Sequence, residues 1–552
     1  MPGAAVLQQR VATTACDACG PFPKEVERIA QVNCYQTLNI CILLGNLMNT
    51  QASTPNQQNT AQRHLATAAL SLPLAFCLLV AGCASDGGIA PQAHLQPVAT
   101  FDVGNAIRTV GATAGWPQRA WWEKYADPQL NRLVTAAIAD NPSMAIAAAR
   151  VRQAQALTEV AHAGELPQAN LDAGINRKHW SDNPYYGGGA MASTDTWNNS
   201  AVISMSYNLD LWGRNRSNSE RAQDELQAVA ADGRAAQLDL ESNIVRAYVM
   251  LSLQYGLRDN TEATLQQQQQ ILDLANKRFK GGIGTQLEIS EAQVPLPETR
   301  RQIEALDENI ALARNQIAAL LGKGPGAGDS ITRPALTMDA AIGLPAVLPA
   351  ALLGRRPDLS AARWRVEAAG KNIQVAKAAF YPNINLLASI GPMAAGGGLL
   401  SFLTLGNVST SFGPAVSLPI FEGGRLRGQL GATTAGYDLE VEHYNQLLSM
   451  ALKSIADQVV TLRSLQRQQQ QAELSVDTAR KNVAIAMRAF QRGLTGYLNV
   501  LNAQTQLLRQ QQIIQQLQAQ KLNAYATLTA ALGGGIEEDV RHDAQASAGS
   551  KQ

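Results

Sequence analysis

The sequence lacks cysteine over most of its length. Its six cysteines lie within the first 83 of 552 residues, at Cys16, Cys19, Cys34, Cys41, Cys77 and Cys83. A disulfide framework is therefore excluded for the main body of the chain. The six histidines are scattered without a pair at ligand spacing, so the sequence predicts no metal site there.

Charge of one sign, aromatic side chains and catalytic motifs are also scarce. The formal net charge is +1 and aromatics make up 5% of the residues, so no strong field favours a nucleic-acid partner. No GxxxxGK(S/T) phosphate loop, nucleophile elbow or carboxylate pair in a glycine-rich context occurs. The sequence predicts a protein that is not an enzyme and binds no cofactor.

Proline is absent from two long stretches, residues 213–294 and 420–552. Apolar residues over 448–462, within the second stretch, and over 303–320 recur at alternating steps of three and four residues. This is the spacing of a coiled-coil seam. A helix over 213–280 would extend about 100 Å at 1.5 Å per residue. Such helices are predicted to pack side by side as a tube or rod. The two seams are Leu448, Leu452, Ile455, Val459, Leu462 and Ile303, Leu306, Ile310, Ala313, Ile317, Leu320.

The apolar run over 65–82 is interpreted as the core of a lipoprotein signal peptide, residues 63–82. It ends in Val80-Ala81-Gly82-Cys83, small residues before a cysteine that would become the lipidated first residue. A transmembrane helix is the alternative, but the run contains Pro73 and is barely long enough. Ala84, in place of an inner-membrane retention aspartate, predicts transport to the outer membrane. A lipid chain alone anchors weakly, so a second membrane element is expected.

Two interpretations remain for residues 1–62. Cys16, Cys19, Cys34 and Cys41 could form a four-thiolate zinc site. Alternatively, translation starts later, at Met48. The chain would then begin with a short polar leader, followed by Arg63 and the apolar core, which is the ordinary layout of a signal peptide. On either interpretation, cleavage before Cys83 removes this segment.

An internal repeat sets the predicted architecture. Residues 141–175 align without gaps to 356–390, with 13 of 35 positions identical, among them Pro142 with Pro357. Later, the segment from Phe279 to Gln293 matches the segment from Phe490 to Gln504. Each unit is predicted to contain a helix after the proline, a strand hairpin, and a long helical stretch broken by one glycine turn.

The predicted hairpins alternate apolar and polar residues with a period of two. The alternation covers 171–175, 201–211, 384–390 and 412–420. Each run is near the length of a tilted membrane strand, although a soluble sandwich sheet has the same periodicity. Four membrane strands cannot close a barrel, so strands from other copies would be needed: two copies give eight strands and three give twelve.

Over about 115–535 the chain resembles the TolC-like outer membrane factors, in particular the lipoprotein branch typified by OprM and NodT. No single motif is specific, but the set is. The motifs are Trp121-Trp122-Glu123, Asp127-Pro128-Gln129-Leu130, Asn141-Pro142, Leu209-Asp210-Leu211-Trp212-Gly213-Arg214, Arg355-Arg356-Pro357-Asp358-Leu359, Pro419-Ile420-Phe421-Glu422-Gly423-Gly424-Arg425 and Leu532-Gly533-Gly534-Gly535.

The resemblance implies a mainly α fold with membrane β-strands. A homotrimer would join a twelve-stranded outer-membrane barrel to a coiled-coil helical barrel in the periplasm. It also implies the role of an efflux channel that receives small molecules from a periplasmic adaptor protein and an inner-membrane resistance–nodulation–division transporter. The absence of a nucleotide motif is consistent with energy supplied by that transporter.

The resemblance also implies where functional residues lie. The helix tips, at Phe279, Gly282, Leu287 and at Phe490, Gly493, Leu498, would face the adaptor, although plain turn chemistry also accounts for the glycines. Candidates for the closing aperture are Asp477, Arg480, Arg488 and Arg492, which could equally form a solvated helix face. Pro295 and Pro297 predict a kink or interrupted turn after the first tip.

Two other functions stay open at this stage: a duct for type I protein secretion, and a soluble coiled-coil scaffold. The predicted division of the chain is an N-terminal extension (1–62), a signal peptide (63–82), an anchor and linker (83–114), a first repeat (115–326), a second repeat (327–535) and a disordered tail (536–552).

Overall fold

The computed structural model describes residues 86–97, 116–181, 192–336 and 355–535. The predicted signal peptide at 63–82, the extension 1–62, Cys83 and the tail 536–552 lie outside the described residues.

Two successive units repeat the same order of elements. Each has a short helix, two antiparallel strands, a 67-residue helix and a return helix. The two short helices, α2 and α6, both have 22 residues. The elements are α1 (Pro128–Asp140), α2 (Pro142–Ala163), β1 (Gln168–His179), β2 (Asp195–Asn208), α3 (Arg214–Lys280), α4 (Gln286–Gln293), α5 (Pro295–Leu320), α6 (Pro357–Ala378), β3 (Asn383–Ala395), β4 (Val408–Ser417), α7 (Arg425–Gln491) and α8 (Tyr497–Ala531).

The helix that was predicted to follow the proline of each repeat begins at that proline. Pro142 and Pro357 are the first residues of α2 and α6, because proline lacks only an N–H that the first turn leaves unpaired. Asn141 caps α2 by accepting a 2.7 Å hydrogen bond from the Ser143 amide.

A sharp turn joins each sheet hairpin to its long helix. Gly213 and Gly424 precede α3 and α7 with φ of 69° and 88°, a conformation that glycine adopts without strain. The strand predicted over 201–211 ends earlier, at Asn208, because the Asp210 carboxylate accepts hydrogen bonds from the first amides of α3, those of Asn215 (3.0 Å) and Arg216 (2.9 Å).

The second unit shows a similar difference from the predicted strand. The strand predicted to reach residue 420 ends at Ser417. Pro419 follows two residues later and has no N–H to donate to a ladder.

The long helix α3 lies between shorter helices on both sides. It packs against α2 and α6 over one part of its length and against α5 and α8 over the other, while α7 packs against α6 and α8. The short helices meet end to end: Asn141 Nδ2 donates to the Leu320 carbonyl at 2.6 Å, and Arg356 donates to the Ala531 carbonyl at 3.0 Å. Each pair thus forms one broken rod that runs beside α3 or α7.

The core follows the predicted coiled-coil seam. Of the five seam residues on α7, four are fully buried and Leu452 is 8% exposed. Four of them pack with Leu517 and Leu528 of α8, and Leu448 packs with Leu359 of α6. The predicted helix over 213–280 is confirmed as α3, and its 67 residues extend about 100 Å.

Asp127 ties α1, α3 and the end of the first unit together. Its carboxylate is 4% exposed and accepts hydrogen bonds from the Gln129 amide, the Tyr248 hydroxyl and the Ala335 amide, each at 2.8 Å. Burial acts to raise the pKa of Asp127, but these hydrogen bonds outweigh it and hold the pKa below the ordinary value. The Asp-Pro motif is therefore a structural junction.

The predicted interruption near Pro295 and Pro297 is present. Helix α4 ends at Gln293, and α5 begins at Pro295 after the single residue Val294. The second unit has one continuous 35-residue helix, α8, at the equivalent place. The two return helices are therefore not equivalent, because Pro295 cannot donate a backbone hydrogen bond within the helix.

Candidate functional site

The four strands form one antiparallel sheet in the order β1-β2-β3-β4. The register pairs Leu171 with Ile203, Ile203 with Ile390, and Ala388 with Phe412. Directly paired residues point to the same face, so the register assigns every strand residue to one of two faces. One face, called the apolar face below, carries Ala169, Leu171, Ala173, Ile175, Ala201, Ile203, Met205, Leu386, Ala388, Ile390, Phe412, Pro414 and Val416.

The opposite face, called the polar face below, carries mainly serine and asparagine. Val202, Leu387 and Met393 are exceptions, and Asp172 is an acid. Its polar members include Asn170, Asn176, Ser200, Ser204, Ser206, Asn385, Ser389, Ser409 and Ser411. Apolar side chains on one face and small polar ones on the other match a barrel strand with lipid outside and water inside.

Nothing in the described part of the chain covers the apolar face. Leu171 is 68% exposed, Ile390 is 51% exposed and Phe412 is 82% exposed. A soluble sandwich would bury this face against a second sheet, and the described residues form only one sheet. An uncovered apolar surface of this kind is suited to contact with lipid.

Large apolar and aromatic side chains mark the junction between the sheet and the long helices. Trp212 stacks on Tyr381 with ring centroids 4.6 Å apart, and its indole N–H donates to the Pro382 carbonyl at 2.8 Å. Ile420 and Phe421 are 82% and 90% exposed. Amphipathic rings collect at membrane–water interfaces, so this junction is placed at one edge of the lipid layer.

Within the described ranges, no helix combines the length and apolar character that a membrane crossing requires.

The predicted helix tips lie at the ends of α3 and α7 that are far along the chain from the strands. Gly282 and Gly493 adopt φ of 74° and 71° in equivalent turns. Leu287 and Leu498, at the starts of α4 and α8, are 66% and 50% exposed. The structure therefore places the six predicted tip residues at two like turns with uncovered apolar side chains. The other two, Phe279 and Phe490, are the last but one residues of α3 and α7.

The two tips border a common groove of about 900 Å³. Its lining includes Arg278 and Glu288 from the first tip, 3.5 Å apart, and Phe490 and Tyr497 from the second, with ring centroids 5.0 Å apart. Leu498 also lines it. The tips thus present an apolar groove with one ion pair at its wall, a form suited to binding a helical partner.

The predicted aperture residues lie near the same end of α7. Asp477 and Arg480 form a 3.0 Å ion pair with 61% and 65% exposed side chains. Arg488 donates to the Ala484 carbonyl at 3.2 Å, and Arg492 directly follows α7. The structure brings the first two residues together and leaves the other two apart from them.

Charged residues link the two units across α3 and α6. Lys371 on α6 contacts Glu220 on α3 at 2.6 Å, and Arg365 contacts Asp232. Burial raises the pKa of nearby Asp224 to about 6, against the opposing effect of Lys371. Because such pairs are partly buried, they resist screening by salt better than exposed pairs do.

The segment 86–97, which follows Cys83, runs along α7. The backbone amides of Gln92 and Ala93 each donate to the Asp438 carboxylate at 2.9 Å, and the Gln96 amide donates to Asn445 at 3.0 Å. Ile89 packs near Leu430, closer to the sheet end of α7. From Gln96 back to Ile89, the segment therefore runs toward the membrane junction.

Comparison with known proteins agrees with this geometry. The outer membrane efflux protein family matches residues 133–323 and 348–534, which together cover most of the chain. This chain belongs to the outer membrane efflux protein family. It is therefore the outer-membrane component of an efflux system, with the TolC-like fold that its motifs imply.

Several members of the outer membrane efflux protein family are similar along most of the chain. The fusaric acid resistance protein FusA of Burkholderia cepacia is 52% identical over 363 residues, covering 66% of this chain and 68% of that protein. The multidrug resistance outer membrane protein MdtP of Escherichia coli is 30% identical over 492 residues, covering 86% of this chain and 98% of that protein.

Solved structures of channels in this family show the same fold. The outer membrane protein VceC of Vibrio cholerae aligns with a TM-score of 0.70 and 34% identity, covering 76% of this chain and 100% of that one. The CmeC outer membrane channel of Campylobacter jejuni aligns with a TM-score of 0.73 at 20% identity.

Two features of the site were not predicted from the sequence. The first is the position of Asp172 in a row that all four strands share, which follows only from the strand register. The second is a line of exposed apolar side chains along α7, called the outer line below. It consists of Leu439, Met450, Val460, Leu474 and Ile485. Their heptad positions differ from those of the buried seam, a signal that could have shown them in advance.

Proposed function

We propose that the chain is one subunit of a homotrimeric duct that conducts small molecules from a periplasmic adaptor protein and a resistance–nodulation–division transporter through the outer membrane. The observation that carries this proposal is the uncovered apolar face on a sheet with two open edges. The relatives are named for resistance to drugs, solvents and fusaric acid, which favours small-molecule efflux over protein secretion.

The open sheet edges support oligomerisation. Among the described residues, β1 pairs only with β2, and β4 pairs only with β3. In lipid, each unpaired backbone group on those edges would cost several kcal/mol. Pairing of β1 with β4 of the next copy removes both edges. Three copies give twelve strands and leave a lumen, whereas the eight strands of two copies would be filled by side chains.

The helices have uncovered edges as well. Helix α2 has no buried residue within the chain, and its Leu157 and Val160 are 56% and 70% exposed. The outer line of α7 is similarly uncovered at the other side of the layer. Packing of α7 of one copy against α2 and α5 of the next joins unlike surfaces, the arrangement that closes a ring.

The adaptor is proposed to dock at the helix tips. The groove between them and the exposed Leu287 and Leu498 support this proposal.

The aperture is proposed to involve Asp477, Arg480, Arg488 and Arg492. Uptake of a large antibiotic by cells carrying Asp477→Ala and Arg480→Ala tests that role, and unchanged uptake contradicts it.

Deletion of the gene is expected to make cells hypersensitive to exported compounds, with fusaric acid as the first probe because of the 52% identical relative named for it. Complementation by the wild type is expected to restore resistance.

Leu287→Glu with Leu498→Glu is expected to reach the outer membrane at normal level yet lose most resistance, because charges replace apolar docking contacts. Full resistance in that variant contradicts docking at the tips.

Lipidation of Cys83 is proposed as the anchor, supported by the lipobox and by the course of residues 86–97 toward the junction. Wild-type protein is expected to incorporate labelled fatty acid, and Cys83→Ala is expected to incorporate none. Cys77→Ala is the matched control and is expected to label normally. Labelling of Cys83→Ala at the wild-type level would remove Cys83 as the acceptor.

A further inference from the structure

The rows of the sheet that all four strands share contain one charged residue. These rows run from Gln168 to Ala173 on β1 and include 201–206, 387–392 and 408–413 on the other strands. Asp172 is the single acid among them, and they contain no base. The next charge along the polar face, Lys178, lies beyond the last row that β3 reaches and sits 3.8 Å from the Trp180 ring centroid.

The surroundings of Asp172 leave its carboxylate facing open space. Its row holds Val202, which it pairs with, and Ser409 on β4. Its carboxylate accepts a 3.4 Å hydrogen bond from the Ser204 hydroxyl. No cation lies beside it among the described strand residues. Its counterpart in the second unit, by the repeat alignment, is Leu387, so each chain supplies one such acid.

We propose that Asp172 makes the membrane part of the duct favour cationic over anionic solutes. This inference rests on the proposed trimer, in which three copies of Asp172 form a ring of negative charge on the lumen wall. A ring of like charges at a narrow passage raises the local concentration of counter-ions. The polar face between these carboxylates carries no basic residue in the rows that all four strands share, so nothing there opposes their charge.

The test uses a reporter cysteine on the same face. The mature chain has no cysteine after Cys83, so Asn170→Cys introduces a unique thiol, about 7 Å from position 172 along the strand. Intact cells are treated with membrane-impermeant methanethiosulfonate reagents, one cationic and one anionic. The two modification rates are measured with Asp172 present and in the Asp172→Asn background. Leu171→Cys, on the apolar face, is the matched control.

The cationic reagent is expected to react faster, and Asp172→Asn is expected to lower the cationic-to-anionic rate ratio about five-fold, the size expected for unit charges at that separation in water. Asp172→Lys is expected to invert the ratio. An equal ratio in all three backgrounds overturns the inference and leaves the duct intact. Failure of Asn170→Cys to react with either reagent overturns the water-filled lumen, and therefore both proposals.

Discussion

Ile390→Arg is expected to prevent the protein from assembling in the outer membrane. Ile390 lies in the middle of the apolar face, paired with Ile203 and Thr410, and is 51% exposed. An arginine facing lipid near the bilayer midplane costs about 2–4 kcal/mol per chain, or about 6–12 kcal/mol for three copies. That is comparable with the whole stability of an ordinary domain.

The matched control is the adjacent residue. Ser389 points to the polar face and contacts the Ser411 hydroxyl at 2.8 Å. Ser389→Arg removes that hydrogen bond, worth about 1 kcal/mol, but leaves the new charge in the water-filled lumen. Heat-resistant oligomer in outer-membrane fractions is the readout. Assembly of Ile390→Arg at the same level as Ser389→Arg would show that the apolar face does not contact lipid.

Val460→Glu combined with Leu474→Glu is expected to dissociate the copies. Both residues belong to the outer line of α7 and are 54% and 61% exposed in the single chain. Full burial of an exposed apolar side chain of this size contributes about 1.5–3 kcal/mol. Because both side chains are already close to half covered, the pair contributes about 1.5–3 kcal/mol at each contact between copies. Fewer oligomers in the outer membrane and lost resistance are expected.

Gln470→Glu is the control for that pair. Gln470 is exposed on the same helix but lies off the outer line, so the same charge there is expected to leave the oligomer intact. The oligomer is measured by electrophoresis without boiling. If the double variant stays oligomeric, the outer line faces water, and the ring must close through other contacts.

Long-range periodicity predicted the helices well, because a coiled-coil seam is written directly in residue spacing. The Leu448–Leu462 seam, the 67-residue helix α3 and the equivalent turns at Gly282 and Gly493 all occur as predicted. Strand ends were predicted less well. The Asp210 carboxylate caps α3 and stops β2 early, and such a competition between two elements is not visible in alternation alone.

The candidate site was predicted only in part. Alternation around Ile203 and Ile390 showed that one face is apolar, but only the exposure of that face distinguishes lipid contact from a buried core. Alternation over 171–175 also placed Asp172 opposite Leu171, but its neighbours Val202 and Ser409 follow only from the register between strands. The four aperture candidates, Asp477, Arg480, Arg488 and Arg492, remain predictions, since the face that lines the lumen depends on neighbouring copies.

The proposed trimer requires this chain to complete its membrane sheet with other copies of itself. Native mass spectrometry of the full-length protein, extracted from outer membranes in mild detergent, measures the number of chains in the complex. The proposed trimer predicts a complex of three chains. A single chain recovered from the membrane, or protein found only in the soluble fraction, would contradict it, because one chain leaves both edges of its sheet unpaired.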